Sequence, residues 1–364
     1  SHAPPLPLGS QVHSIALVGP LGDSAINMLG SWIGKGDPAD AVTLRAALTA
    51  YAAQHHLQLT TEKGVEIIGG SDAGIAAAVE SARRSDVVLL AVGENAAEMT
   101  GEAASRAHLG LPGLQKRLVE SVLEAGKPVV LIVFGGRPLV LTAISDKVSA
   151  IVQAWFPGVQ AGPALVRLLT GEVNFSGKIT VSYPRAVGQE PLYYNQLNTG
   201  RPAGNVDLSH PPQNSDEKYV SRYIDERNSP LFPFGYGLSY TKFEYGPPAA
   251  DHPSISARAL NAGTAKLTVE AEVRNIGARD GVEIVELYIG LRGTSVARPV
   301  RELKGFRRVA LRAGESRRVE FTLGRDELSF WNVDMHDVVE PAQLTVWIAP
   351  DSSSGSSVEV KITE

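Results

Sequence analysis

Three glutamates and one arginine lie close together in a polar segment of the sequence, residues 93–106 (GENAAEMTGEAASR). Glycosidic cleavage needs two carboxyl groups, one of which donates a proton to the departing oxygen. Glu94, Glu98 and Glu102 are therefore candidates for a proton donor, and Arg106 is a candidate for the group that steers it. The alternative is that these residues are solvated charges of an ordinary surface loop, where carboxylates are common.

This segment follows one of several apolar runs that alternate with helical patterns. Near-continuous Val, Ile and Leu is typical of parallel strands that are buried on both faces of a sheet. Such strands are predicted at 15–18, 65–68, 87–92, 129–134 and 150–154. Helices are predicted between them at 43–56, 72–84 (with Ser71 as its N-cap), 114–125 and 161–170.

The alternation of strands and helices predicts a doubly wound α/β sandwich domain over residues 14–184. In open α/β sheets, functional groups collect at the carboxyl ends of the strands. Segment 93–106 begins directly after the predicted strand at 87–92, so its position agrees with a functional loop.

Two further regions follow the predicted α/β domain, and a short region precedes it. Residues 185–248 are rich in Pro, Gly, Asn and Tyr, which predicts an extended linker that wraps a neighbour. Apolar and polar residues then alternate, which predicts an all-β, fibronectin-III-like sandwich over 249–364, with strands at 265–274, 283–291, 302–311, 316–323 and 343–349. Residues 1–13 open on a Pro-rich stretch without an initiator Met, and we interpret them as a severed interdomain linker.

Composition excludes several classes of protein. The net charge is −5 and there is no long basic run, so we expect no nucleic-acid partner. The apolar runs are far shorter than the ~20 residues of a membrane span, and we expect no membrane partner. Cysteine is absent, His55 and His56 lack a partner at metal spacing, and residues 19–22 (GPLG) do not match a dinucleotide-binding motif. We therefore expect neither a metal nor a cofactor.

A series of short motifs carries a resemblance to a known family. They are GEAASR at 101–106, GKPVVL at 126–131, GRP at 136–138, QAWFPG at 153–158, SGK at 176–178, SYP at 182–184 and PFGYGLSY at 233–240. In this order they resemble family-3 glycoside hydrolases, and most closely the bacterial periplasmic β-glucosidase type. The resemblance extends from ALVGP at 16–20 to ELKGF at 302–306 and Phe330-Trp331.

The resemblance implies an enzyme whose active site is shared between domains. In that family a barrel supplies an Asp nucleophile, an α/β sandwich supplies the acid/base Glu from a loop, and a fibronectin-III-like domain follows. The acid/base Glu falls on Glu102, while Glu94 falls on a recurrent Gly-Glu that shapes the loop. These 364 residues leave no room for the barrel, so the nucleophile is expected on an amino-terminal barrel domain or chain, without which this chain is expected to be inactive.

The expected reaction is retaining hydrolysis of terminal β-linked glucose in β-glucosides or cello-oligosaccharides. A periplasmic or secreted location follows from the resemblance alone, and a homodimer is compatible with it. Trp32 matches a family tryptophan beside the aglycone subsite, with packing beneath the loop as the alternative. Trp32, Glu94 and Arg106 are thus predicted to border the substrate, with Arg106 paired elsewhere, because a nearby guanidinium would lower the pKa of the acid.

Two other functions remain as alternatives. The first is a non-catalytic carbohydrate-binding or assembly module that uses Trp32 and the β-sandwich as surfaces. The second is a nucleotide-binding α/β protein, which the fold class alone allows.

Overall fold

The computed structural model describes residues 5–99, 105–204 and 211–364, and the chain divides into two compact units. The first unit extends to Val173 and includes Arg185–Gly188, and the second consists of Asn174–Pro184 and Gln189–Glu364. Within the described ranges, no helix has the length and apolar character that a bilayer crossing requires.

The described residues of the first unit form a parallel sheet of five strands: β1 (Ser14–Val18), β2 (Gln58–Glu62), β3 (Val87–Gly93), β4 (Val129–Phe134) and β5 (Ala150–Trp155). Their order in the sheet is β2-β1-β3-β4-β5. The helices are α1 (Ala25–Leu29), α2 (Leu44–His55), α3 (Ile75–Arg83), α4 (Gln115–Leu123), α5 (Thr142–Ser145) and α6 (Ala161–Leu169). The predicted α/β class is confirmed, as are the strands predicted at 15–18, 87–92, 129–134 and 150–154.

Two predicted elements are wrong in position. The apolar run at 65–68 is not a strand, and the strand instead covers Gln58–Glu62, whose side chains are mostly exposed or half-buried. Among the described residues this strand pairs with β1 alone, at the edge of the sheet, so it does not need the apolar sequence of a central strand. Helix α3 begins at Ile75 behind Gly74, which offers no side chain for capping, rather than behind Ser71.

The central strand β3 positions the polar segment that follows it. It lies between β1 and β4, and all of its residues are buried. Its last residue, Gly93, has φ of 137°, and a Cβ there would lie 1.8 Å from the carbonyl oxygen of Phe134. Only glycine permits this approach, which lets the amide of Glu94 donate to that same oxygen at 2.9 Å.

The second unit is a β-sandwich, which confirms the predicted all-β class. The strands are β6 (Phe243–Tyr245), β7 (Ala249–Ala250), β8 (Ser254–Ser256), β9 (Leu267–Asn275), β10 (Gly281–Arg292), β11 (Glu302–Leu311), β12 (Ser316–Leu323), β13 (Phe330–Trp331), β14 (Asp337–Val338), β15 (Ala342–Ala349) and β16 (Ser357–Thr363). One sheet has the order β11-β10-β15-β16-β8, and the other has the order β12-β9-β6, with β7 also paired to β9. The short helices are α7 (Ser215–Lys218), α8 (Ala257–Asn261) and α9 (Arg325–Leu328).

The structure divides the chain earlier than the predicted boundary at 184. Residues of Asn174–Pro184 bond to a later segment of the second unit: the amide of Ile179 donates to Tyr236, and Gly235 donates back to Ile179. Tyr183 and Phe232 form a further antiparallel bridge. These backbone bonds hold 174–184 within the second unit, although in sequence it continues the α/β region.

Strand β10 carries two carboxylates that are only 5% exposed, Glu283 and Glu286. Glu283 accepts from the ammonium of Lys178 at 3.1 Å and from the hydroxyl of Tyr245 at 2.8 Å. Glu286 accepts from the hydroxyl of Tyr288 at 2.5 Å. Burial raises the pKa of Glu286 from 4.5 to about 7, against the smaller opposing effects of Tyr288 and Lys178.

This raised pKa predicts that stability depends on pH. Between about pH 4.5 and 7 the native protein keeps a proton on Glu286 that the unfolded chain releases, so the free energy of unfolding falls as pH rises. Glu286→Gln is expected to make this fall in the free energy of unfolding about 2 kcal/mol smaller. The figure is less than the full pKa shift would give, because solvent partly screens the carboxylate. Urea unfolding of both proteins at pH 4.5 and pH 8 measures the difference. Parallel profiles for the two proteins would contradict this prediction. Glu320→Gln, at an exposed position of β12, serves as the control.

Candidate active site

The buried carboxylate of Glu94 lies at the carboxyl end of β3, where it bonds to two arginines. Its Oε1 accepts from Nη1 of Arg106 at 2.5 Å, and its Oε2 accepts from Nε of Arg137 at 3.1 Å. Glu94 is 1% exposed, and the arginine side chains are 18% and 21% exposed. A carboxylate at this depth requires such partners, because removing a charge from water is costly. We call Glu94, Arg106 and Arg137 the Glu94 clamp.

The clamp joins three parts of the chain that are distant in sequence. Glu94 is the second residue of the polar segment, Arg106 is its last residue, and Arg137 follows β4, the neighbour of β3 in the sheet. Arg106 also donates through Nη2 to the carbonyl oxygen of Gly110 at 2.8 Å. The side chain of Arg106 is therefore occupied on both sides by acceptors of its own unit.

Side chains from two helices hold the first half of the polar segment. The fully buried amide of Gln115 accepts from the backbone N–H of Gly93 and donates to its carbonyl oxygen, both at 2.8 Å. Asn27 of α1 accepts from the amide of Ala96 at 2.7 Å. Ala96 and Met99 are each 2% exposed. The segment is thus anchored up to residue 99.

The other glutamates of the segment differ in environment from Glu94. Glu98 is exposed, and its carboxylate accepts from the side chain of Asn95 at 3.0 Å within the same turn. Glu102, the predicted proton donor, belongs to residues 100–104 and lies outside the described residues. Its assignment stays a prediction.

The predicted role of Glu94 as a substrate contact has no support in this geometry. Both of its oxygens accept from arginines, and the side chain is 1% exposed. The loop-shaping role that the resemblance implies fits the contacts better. Arg106 is likewise bonded to Glu94 and Gly110, and its role beside the substrate stays a prediction.

Trp32 lies in the loop after α1 and is 83% exposed. The alternative that it packs beneath the loop is therefore wrong. Gly30, two residues earlier, has φ of 85°, and a Cβ there would lie 3.0 Å from the ring of Phe156. Close packing thus fixes the start of this loop while the indole remains free to contact a ligand.

The sequence analysis does not identify Asn27, Gln115 or Arg137 as parts of this site. The only signals were weak ones: Gln115 ends the stretch LPGLQ after the polar segment, and Arg137 lies in the GRP motif that follows β4. The pairing of Glu94 with Arg137 becomes apparent only once β3 and β4 are known to be adjacent.

A separate cavity of about 380 Å³ opens at the carboxyl ends of β1 and β2. Four of its five charged lining residues form ion pairs, Asp23 with Arg45 at 2.7 Å and Lys63 with Glu66. Its lining includes neither Glu94 nor Trp32. In the parts of the chain that the structure describes, no group of three His, Asp or Glu side chains is arranged to hold a metal ion.

The fold and the site define a class of protein: an α/β domain with an anchored, carboxylate-rich loop at the strand ends, followed by a β-sandwich. The model of the glycosyl hydrolase family 3 C-terminal domain matches residues 3–240, and that of the fibronectin type III-like domain matches residues 283–352. The chain belongs to glycosyl hydrolase family 3.

Similar proteins agree with this membership. A periplasmic beta-glucosidase of Salmonella typhimurium is 37% identical over 361 residues, covering 93% of this chain and 45% of the relative. A beta-xylosidase of Formosa agariphila is 36% identical, covering 98% of this chain and 47% of the relative. The crystal structure of a beta-glucosidase from Listeria innocua in complex with isofagomine superposes with a TM-score of 0.87 at 36% identity, covering 99% of this chain and 47% of that one. The chain therefore spans about half the length of the relatives it matches.

Proposed function

We propose that this chain is the carboxyl-terminal part of a retaining β-glucosidase that removes terminal β-linked glucose. In this proposal Glu102 is the general acid/base, and the Asp nucleophile lies in a barrel domain outside these 364 residues. The observation that carries the proposal is that residues 93–99 and 105–110 are anchored by hydrogen bonds, beginning at the carboxyl end of β3. In the sequence these two stretches flank Glu102. Membership of family 3 supports the reaction class.

The proposed mechanism divides the two carboxyl groups between the two parts of the enzyme. The Asp attacks the anomeric carbon, and Glu102 gives its proton to the departing glycosidic oxygen. Glu102 then accepts a proton from the water that hydrolyses the glycosyl-enzyme intermediate. Such a sequence requires the two carboxyl groups to stand roughly 5–5.5 Å apart in the assembled enzyme.

The exposed indole of Trp32 is the proposed contact for the aglycone sugar. An indole face stacks on the C–H face of a sugar ring, and such aromatic contacts contribute about 1 kcal/mol. Trp32→Ala in the full-length enzyme is expected to raise KM for cellobiose about fivefold. Steady-state kinetics against Trp331→Ala, a tryptophan of the second unit that is 63% exposed, provides the matched control. Equal effects of both substitutions would contradict the assignment.

A non-catalytic carbohydrate-binding module is the second candidate, favoured by the two exposed tryptophans, Trp32 and Trp331. The two functions differ in what the isolated chain does with glucan. Binding of cello-oligosaccharide by this chain alone, weakened by Trp32→Ala and unaffected by Glu102→Gln, would favour the binding module.

The proposed reaction is tested by assaying this chain alone and the same chain joined to the amino-terminal part of its own polypeptide. The chain alone is expected not to hydrolyse 4-nitrophenyl β-glucoside, whereas the joined protein does and releases β-glucose first, as followed by NMR. Hydrolysis by the chain alone would contradict the placement of the nucleophile. Initial release of α-glucose would contradict the retaining mechanism.

A further inference from the structure

We propose that Glu94 is a positioning residue for catalysis: its buried carboxylate ties both ends of the polar segment 93–106 to the sheet and offsets one of the two guanidinium charges of the clamp. The inference rests on the proposed function, in which Glu102 of this segment is the proton donor. It assigns to Glu94 an effect on the proton donor and no contact with substrate.

The first support is the way Glu94 itself is fixed. Its amide donates to Phe134 at 2.9 Å, and the preceding residue, Gly93, is bonded on both sides to Gln115. The Glu94 carboxylate therefore starts from a rigid point on the central strand. Arg106 reaches back to this carboxylate from the far side of the segment and also bonds Gly110. One carboxylate thereby determines the separation of the two ends.

The second support is the balance of charge. The clamp holds one carboxylate and two guanidinium groups at depth, where an ion pair is weakly screened. Well-packed apolar side chains would often be as stable as such a cluster, so the cluster is not accounted for by stability alone. Its formal charge is +1, and loss of the Glu94 charge would leave two uncompensated cations beside the segment.

Uncompensated cations matter to a proton donor in particular. Nearby positive charge favours the ionised carboxylate, which lowers the pKa of an acid and leaves less of it protonated at neutral pH. A general acid must be protonated when the leaving oxygen departs. Glu94 therefore acts on catalysis in two ways, through the geometry of the segment and through the charge around it.

The test is Glu94→Gln in the full-length enzyme, with kcat/KM measured against pH for cellobiose and for an activated aryl β-glucoside. The value for cellobiose is expected to fall at least about tenfold, a part of the roughly 10²–10⁴-fold that a positioned acid contributes. The activated substrate, whose leaving group needs little protonation, is expected to lose less. The alkaline limb of the cellobiose profile is expected to shift to lower pH.

Glu98→Gln is the matched control, because it makes the same change of charge in the same segment at an exposed side chain. Its profile is expected to keep the wild-type alkaline limb. A second variant, Glu94→Gln with Arg137→Gln, restores the clamp charge to +1 and is expected to move the limb back toward its wild-type position.

Two results would overturn the inference. One is an equal loss on both substrates with an unshifted alkaline limb, which a purely structural role would produce. The other applies if Glu94→Gln does not fold, in which case Arg106→Gln is measured instead. This substitution lowers the clamp charge to zero and should shift the alkaline limb to higher pH. An unshifted limb would refute the charge effect. Failure of the proposed function is recognised separately, because Glu102→Gln would then leave cellobiose turnover unchanged.

Discussion

Glu102→Gln in the full-length enzyme is expected to lower kcat/KM for cellobiose about 10³-fold, within the range that general acid catalysis contributes. Glutamine has nearly the shape of glutamic acid, but it has no acidic proton to give to the leaving oxygen. The leaving group of an activated aryl β-glucoside departs without that proton, so the glycosyl-enzyme intermediate still forms. Its breakdown becomes slow, because no base remains to activate water.

Pre-steady-state kinetics with 2,4-dinitrophenyl β-glucoside measures this prediction. A burst of dinitrophenol followed by slow turnover is expected for Glu102→Gln. Glu98→Gln in the same segment is expected to behave as wild type. Unchanged turnover of cellobiose by Glu102→Gln would show that the acid is another residue.

Gly93→Ala is expected to destabilise the first unit by more than about 4 kcal/mol, or to prevent its folding. The φ of 137° is strained for any residue with a side chain, and a Cβ would lie 1.8 Å from the carbonyl oxygen of Phe134. Relief of that clash requires β3 and β4 to separate at the end that carries Glu94. Urea unfolding measures the loss, and any folded variant should also have lost the anchored loop.

Gly126→Ala is the control for backbone conformation without a clash. Gly126 has φ of 68°, close to the left-handed helical region, and a Cβ there would have open space around it. This substitution is expected to cost about 1 kcal/mol. Similar losses at the two glycines would show that the contact between β3 and β4 does not restrict residue 93.

The central part of the α/β unit could be predicted because its strands are buried on both faces. Val87–Gly93 and Val129–Phe134 have to be apolar throughout, and their sequences are almost purely Val, Ile, Leu and Phe. The edge strand Gln58–Glu62 is largely exposed, and in the described parts of the chain it pairs on one side, so no apolar pattern identifies it. The apolar run at 65–68 instead predicts a strand at a position where the structure has none.

The site could be predicted where it depends on local sequence and not where it depends on contacts distant along the chain. The position of the polar segment after β3 follows from the strand pattern, and its carboxylates are read directly from the sequence. The pairing of Glu94 with Arg137 spans 43 residues and exists because β3 and β4 are neighbours. The burial of Glu94 is likewise something that residue type alone does not reveal.

The backbone contacts that assemble the second unit could not be predicted from the sequence either. Ile179 and Tyr236 bond through their backbones, and no side-chain pattern marks such a pairing in residues rich in Gly and Pro. The predicted division at 184 followed the change in residue pattern, whereas the structure divides the chain according to these contacts.

The most direct measurement is the product that Glu102→Gly forms from an activated aryl β-glucoside in the presence of azide. Removal of an acid/base carboxylate gives a small anion access to the glycosyl-enzyme intermediate from the face of the departed aglycone. If Glu102 is the general acid/base, azide raises the turnover and the product is β-glucosyl azide, with the configuration retained. Formation of α-glucosyl azide would instead identify Glu102 as the nucleophile, and the absence of both rescue and azide product would show that it is neither.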